Sequence, residues 1–297
     1  SRSCVATSPE SLPVSEFTKR LIFSLVAAPL VIWTVWAGGA WLAALLSIAA
    51  AIGSYEFYRL AIRSGSMPLW GHGVLFSAAV PLFVYARYLG YWTPTISLLL
   101  VVVLELLTVA LWLRGSDGRP LEVVGTTVLG VLYTGGMLSF AFALRYHEYA
   151  IGARAGTALV AMPLLLTWGT DVGAYVFGRW LGVRKLMPAV SPAKTIAGAV
   201  GGMAVAVTVC LLFVKFVLFP YGHLTLSIGG ALLFAIVVSV AGQVGDLVES
   251  MFKREANVKD SSHLIPGHGG MLDRVDSLLF TLPVGYVLLG WLLIPAP

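Results

Sequence analysis

The chain is built from successive apolar runs, each about as long as a bilayer is thick. A helix needs about 20 mostly apolar residues to cross about 30 Å of hydrocarbon. Such runs occupy roughly 21–37, 40–58, 68–87, 92–113, 125–145, 157–178, 197–219, 227–251 and 275–294. Inside lipid every backbone N–H and C=O must be satisfied within the protein, which a helix does on its own. The expectation is an all-α, polytopic integral membrane protein of about nine transmembrane helices. Composition agrees. Of the 297 residues 58% are hydrophobic and 11% charged, with a mean hydropathy of +0.89, whereas a soluble domain carries about 25% charged residues. A soluble globular enzyme and a disordered chain are both excluded.

Charge placement sets the expected orientation, because short cytoplasmic loops collect Lys and Arg. With nine spans and the N-terminus inside, 15 of the 19 Lys and Arg residues fall on one side. Arg87, Arg145, Arg154 and Lys215 are the remainder. The side holding Lys194, Lys253, Arg254, Lys259 and Arg274 is therefore expected to face the cytoplasm. Residues 1–18 are polar and read as a flexible extension, with no cleaved signal peptide expected. Cys4 and Cys210 make neither a disulfide framework nor a metal-ligand spacing.

The two halves of the chain differ. Residues 19–150 read as a helical scaffold for lipid or dimer contacts, whose five spans hold little beyond aliphatic and aromatic residues except for Glu56 and Glu105. Residues 151–297 carry Asp171, Asp246, Glu249, Asp260, Asp273 and Asp276, together with small-residue spacings that let helices approach closely. The chemistry is expected in this second region.

Three stretches could carry it. Asp246, Glu249 and Ser250 stand at i, i+3 and i+4, on one face of a helix. Acids gathered at one membrane depth suit a cation better than an interfacial helix end with an internal ion pair. In the loop from Lys259 to Asp276, Gly267, Gly269 and Gly270 flank His268 and allow backbone N–H groups to approach a ligand. Asp273 and Asp276 follow at the start of the last helix. There they could complement the helix dipole, or join Asp246 in a site for divalent cation and phosphate beside Lys259 and Arg274. Between Asp171 and Asp246 the sequence has no acid, so Arg179, Arg184, Lys185 and Lys194 form an uncompensated positive loop. Arg184 and Lys185 could equally hold anionic lipid. Ser191-Pro-Ala-Lys194-Thr195 sets a Lys and two hydroxyls just before a helix, where N–H groups attract phosphate. It lacks the glycines of a Walker A loop. With no Ser-His-Asp or Cys-His arrangement, the pattern suits phosphoryl or nucleotidyl transfer, which rests on positioning and charge neutralisation.

The stretch from Ser250 to Asp276 resembles the signature of phosphatidate cytidylyltransferases, also called CDP-diacylglycerol synthases. Asp171, Ala174-Tyr175, Gly178-Arg179, Ser191-Pro-x-Lys194-Thr195 and Lys19-Arg20 are similar to that family as well, so the resemblance spans roughly 19–294. It implies a dimeric membrane enzyme, in the bacterial inner membrane with its active site facing the cytoplasm. That enzyme joins CTP to phosphatidate, releases pyrophosphate and has no nucleic-acid partner. It implies Mg2+, with a second cation such as K+, held by Asp246 and Asp273 with Asp276, Asp171 and Glu249 nearby. Catalytic roles are implied for Asp246, Asp273, Lys259, His268 and Arg274. Substrate contacts are implied for Lys194, Ser191, Thr195, Arg179, Lys253, Arg254, Gly269 and Gly270. One departure stands out: Ala197 occupies a position where the family often has Glu or Gln. Two other classes stay open, a CTP-dependent lipid kinase of polyprenol type and an ion-coupled transporter.

Overall fold

The computed structural model describes residues 16–91, 96–115, 117–262, 264 and 269–296. The chain is an up-and-down array of helices. In order these are α1 (Glu16–Ala37), α2 (Gly39–Arg63), α3 (Trp70–Tyr88), α4 (Ile96–Arg114), α5 (Pro120–Val131), α6 (Phe140–Arg145), α7 (Gly152–Leu181), α8 (Ile196–Phe213), α9 (Phe219–Gly222), α10 (Ile228–Glu255) and α11 (Leu272–Leu292). A π-helical turn at Leu132–Gly136 joins α5 to α6, and another at Val214–Leu218 joins α8 to α9. Among the described residues, the apolar runs fall largely on these helices and the π-helical turns between them; positions 92–95 lie outside the described residues. Six continuous rods, Gly39–Arg63, Pro120–Arg145, Gly152–Leu181, Ile196–Gly222, Ile228–Glu255 and Leu272–Leu292, are long and apolar enough to cross a membrane. The all-α membrane class holds; among the described residues six of the expected nine spans are long and apolar enough to cross, and Leu25–Ala37 is a shorter apolar helix.

Among the described residues, the strands form two short antiparallel pairs. β1 (Lys185–Met187) pairs antiparallel with β2 (Ser191–Thr195), in the connection between α7 and α8. At the opposite end β3 (Leu224–Leu226) pairs with β4 (Leu293–Pro295), fastening the start of α10 to the end of α11.

Helix contacts follow from small and hydroxyl side chains. α7 and α8 lie backbone to backbone because Gly173, Gly198 and Gly202 carry no Cβ; one at Gly202 would stand 2.6 Å from the Thr170 carbonyl oxygen. Between α7, α10 and α11, buried hydroxyls bond across helices, Thr170 to Ser239 at 3.0 Å and Thr167 to Thr281 at 3.2 Å. Such bonds glue helices that lipid would not otherwise drive together. At the far end Arg145 is buried and donates to the Val35 and Trp36 carbonyls at 2.8 and 3.0 Å, tying α1 to α6. The effect of this weave is to bring the ends of α2, α7 and α10 and the starts of α8 and α11 to one end of the molecule.

Candidate active site

At that end a lysine lies between two acids. Lys253, in the last turn of α10, sits against Glu249 one turn earlier and 2.7 Å from Asp273 Oδ1 on α11. All three side chains are nearly withdrawn from solvent, with Glu249 at 0% exposure. The i, i+4 spacing places Glu249 and Lys253 on one helix face. The approach of α11 brings Asp273 to the same ammonium. Lys253, expected as a substrate contact, is thus committed to an ion-pair network inside the protein.

Asp273 is engaged on its other oxygen too. Oδ2 accepts from the Ser261 amide at 3.0 Å, the Ser261 hydroxyl at 2.8 Å and the Gly270 amide at 2.8 Å. The Gly270 N–H, expected to be free for a ligand, is spent here. Gly269 has φ +79°, a left-handed conformation that favours glycine. Asp273 is not the N-cap of α11, a position held by Met271.

The cap comes from elsewhere. Glu56, on α2 and 2% exposed, accepts from the Met271 and Leu272 amides at 3.0 and 2.7 Å. These are among the N–H groups that a helix start leaves unpaired. It also accepts from the Ser262 hydroxyl at 2.5 Å and the Ser261 hydroxyl at 3.0 Å. Sequence reasoning left Glu56 in the scaffold. The available signal was its rarity, since a carboxylate in an apolar helix must find donors.

A second acidic group lies beside the first. Asp171 on α7, Asp246 on α10 and Asp276 on α11 are close enough to repel one another. Lys194 on β2 reaches Asp246, with Nζ 2.7 Å from Oδ2. Among the described residues, no three His, Cys, Asp or Glu side chains converge tightly enough to hold a metal ion as they stand. Their chemistry nevertheless fits a hard divalent cation. They offer oxygen donors only, and three carboxylates outnumber the lysine paired with them. Asp273 could join such a site only by releasing Lys253.

The remaining expected residues divide. Thr195 is buried and caps α8, accepting from the Gly198 amide at 3.1 Å, so its hydroxyl serves the fold. Arg254 is exposed and donates to the Val190 carbonyl at 3.2 Å, holding the β1–β2 hairpin against α10. Arg179 is exposed, with its guanidinium 3.1 Å from the Tyr175 hydroxyl. Ser191 is half-buried on β2, and Lys259 and Arg274 are exposed at the same end. His268 lies outside the described residues. Ala197 sits in the first turn of α8 and is half-buried.

The sequence profile of the cytidylyltransferase family matches residues 18–292. The chain belongs to that family. Among individual relatives, the phosphatidate cytidylyltransferase of Staphylococcus haemolyticus is 34% identical over 217 residues, covering 73% of this chain and 78% of its own. That of Bacillus subtilis is 37% identical over 191 residues, 64% of this chain and 66% of its own. That of Staphylococcus saprophyticus reaches 45% identity over 134 residues, 45% of this chain and 50% of its own. The family match makes this an integral membrane enzyme of the nucleotidyltransferase class.

Proposed function

We propose that the enzyme transfers the cytidylyl group of CTP to phosphatidate, giving CDP-diacylglycerol and pyrophosphate. The observation that carries this reading is the meeting of Asp171, Asp246, Asp276 and Lys194 at one end of a membrane-spanning bundle. Relatives named phosphatidate cytidylyltransferase support the same reaction.

In the transfer, a phosphate oxygen of phosphatidate attacks the α-phosphorus of CTP. The bond from that phosphorus to the bridging oxygen breaks, and pyrophosphate leaves with the electron pair. No proton has to be removed from the nucleophile, which is consistent with a site of charges rather than of a base and a hydroxyl. We assign Asp246, with Asp276 and Asp171, to hold Mg2+; such an ion supplies Lewis acidity and offsets charge on the triphosphate. Lys194 binds a phosphate oxygen as a compact charged donor. Lys259 and Arg274, exposed at the rim, collect phosphate from the aqueous side. Lys253 and Glu249 keep Asp273 in place behind them.

The active site faces the cytoplasm in this proposal, because the end that carries it also carries most of the Lys and Arg. A homodimer, residues 19–150 as a scaffold and 151–297 as the catalytic region belong to the same reading.

The test incubates purified enzyme with α-labelled CTP, phosphatidate and Mg2+. The expected products are labelled CDP-lipid and pyrophosphate in equal amounts. Production of CDP with a phosphorylated lipid would instead establish a lipid kinase, and no nucleotide turnover would overturn both.

A further inference from the structure

We propose that Glu56 is a positioning residue for cytidylyl transfer, holding the start of α11 and the Ser261–Ser262 backbone in the geometry that sets Asp273. The inference rests on the proposed reaction for its kinetic arm only; its structural arm stands alone.

Glu56 meets four donors and leaves no oxygen idle. Oε1 takes the Ser262 hydroxyl and the Met271 amide, and Oε2 takes the Ser261 hydroxyl and the Leu272 amide. The two amides can only donate, so both oxygens must accept, which an ionised carboxylate does. Among the described residues no Lys or Arg pairs with it; its charge faces the start of α11, where the helix dipole favours an anion. Packing around the contact is tight. A Cβ at Gly270 would strike the Ser261 hydroxyl and both Glu56 oxygens.

What makes this more than a helix cap is Ser261. Its hydroxyl lies 3.0 Å from Glu56 Oε2 and 2.8 Å from Asp273 Oδ2. A hydroxyl has one proton and serves one carboxylate fully at a time. Any loosening at Glu56 therefore changes how Asp273 is held, and Asp273 Oδ1 in turn holds Lys253. A continuous path runs from α2 through Ser261 and Asp273 to Lys253 and Glu249 on α10. Asp276 stands three residues beyond Asp273, so its place beside Asp246 and Asp171 depends on the same anchor.

No other side chain satisfies this arrangement. Glutamine offers one acceptor oxygen, and whichever way its amide lies, its NH2 faces a backbone N–H. Aspartate is one methylene short of the reach.

The experiment compares wild type, Glu56→Gln and Ser262→Ala, each as the full chain in detergent. Trypsin cleavage after the exposed Lys259 is followed by mass spectrometry, with cleavage after Arg184 on the hairpin as the internal reference. Glu56→Gln is expected to speed cleavage at Lys259 at least tenfold relative to Arg184. It is also expected to raise KM for CTP and lower kcat/KM at least tenfold, with the thermal midpoint within a few degrees of wild type. Ser262→Ala removes one donor and no charge, and should shift both readouts part-way; it carries the test if Glu56→Gln fails to fold. Wild-type cleavage ratios, or an unchanged KM with a lowered midpoint, would overturn the proposal. If cleavage accelerates while wild type makes no CDP-lipid, the anchor stands and the proposed reaction falls.

Discussion

Lys194 and Asp246 neutralise each other, with Nζ 2.7 Å from Oδ2 and both side chains only partly exposed. A phosphate arriving at Lys194 takes the lysine's charge from Asp246, and a cation arriving at Asp246 frees Lys194. Binding of nucleotide and cation should therefore be coupled. Lys194→Ala is expected to raise KM for CTP or phosphatidate at least tenfold. Lys194→Arg should recover part of the loss, since a planar fork does not reproduce a point charge. Initial rates with each substrate varied in turn decide it: wild-type kinetics at subsaturating levels of both would leave Lys194 with an orientation role only.

Asp246 and its neighbours predict a dependence on divalent cation. Excess chelator should abolish turnover and added Mg2+ restore it. Asp246→Asn keeps size and shape while removing the charge. Activity should drop at least about 100-fold, about 2.7 kcal/mol of transition-state stabilisation, from a protein that is still folded by size exclusion. Full activity in chelator would remove the metal from the mechanism.

Asp273 predicts a different signature. Its carboxylate is one of two acids holding the buried Lys253, and breaking a buried pair by removing one partner costs about 3–5 kcal/mol. Asp273→Asn should therefore lower the thermal midpoint as well as activity. Lys253→Met, which leaves Glu249 and Asp273 facing each other, should be less stable still. Adding Glu249→Gln to Lys253→Met should restore part of that stability, because partners in one network do not add. Asp273→Asn with a wild-type midpoint and no activity would make Asp273 a ligand and nothing more.

The helices were legible because each writes its own local pattern: about 20 apolar residues mark a span wherever it packs. The signature region was legible for a similar reason, its polar residues lying within 27 positions between Ser250 and Asp276. Pairing across the fold was not. Glu56 lies 205 residues from Ser261, and no periodicity connects them. Asp273 could be read from sequence as metal ligand or dipole partner; that Lys253 occupies it depends on how α10 and α11 cross. Thr195 read as a phosphate hydroxyl, yet a Thr directly before a helix is also a good N-cap, and the backbone took it. The number of crossings was hardest to read. α3 and α4 each have 19 residues, close to the shortest helix that crosses about 30 Å of hydrocarbon, and α3 also carries His72 and Arg87.

The glycines between α7 and α8 predict a stability contrast. Gly202→Ala would place a methyl 2.6 Å from the Thr170 carbonyl oxygen and 3.3 Å from the Ala174 Cβ. Forcing an extra carbon into such a contact costs about 1–3 kcal/mol. Gly229→Ala meets nothing within 4 Å near the start of α10, and removing a helical glycine there gains up to about 1 kcal/mol. Thermal midpoints should fall for the first and hold or rise for the second. Equal behaviour would mean that α7 and α8 are not in backbone contact.

Orientation can be tested without any assay of the reaction. α10 has 28 residues, about 42 Å at 1.5 Å per residue, enough to carry the chain across about 30 Å of hydrocarbon. His223 is exposed just before it and Lys259 is exposed just after it. In a background with Cys4 and Cys210 replaced, His223→Cys and Lys259→Cys should react with a membrane-impermeant maleimide from opposite sides of the bilayer. Lys259→Cys should label from the cytoplasmic side, because the basic end and the site share that face and CTP is supplied there. Labelling of both cysteines from one side would show that α10 does not cross. Opposite labelling with the sides exchanged would keep the fold and put Lys194, Asp246 and the whole acidic group beyond the reach of cytoplasmic nucleotide, which the proposed reaction could not survive.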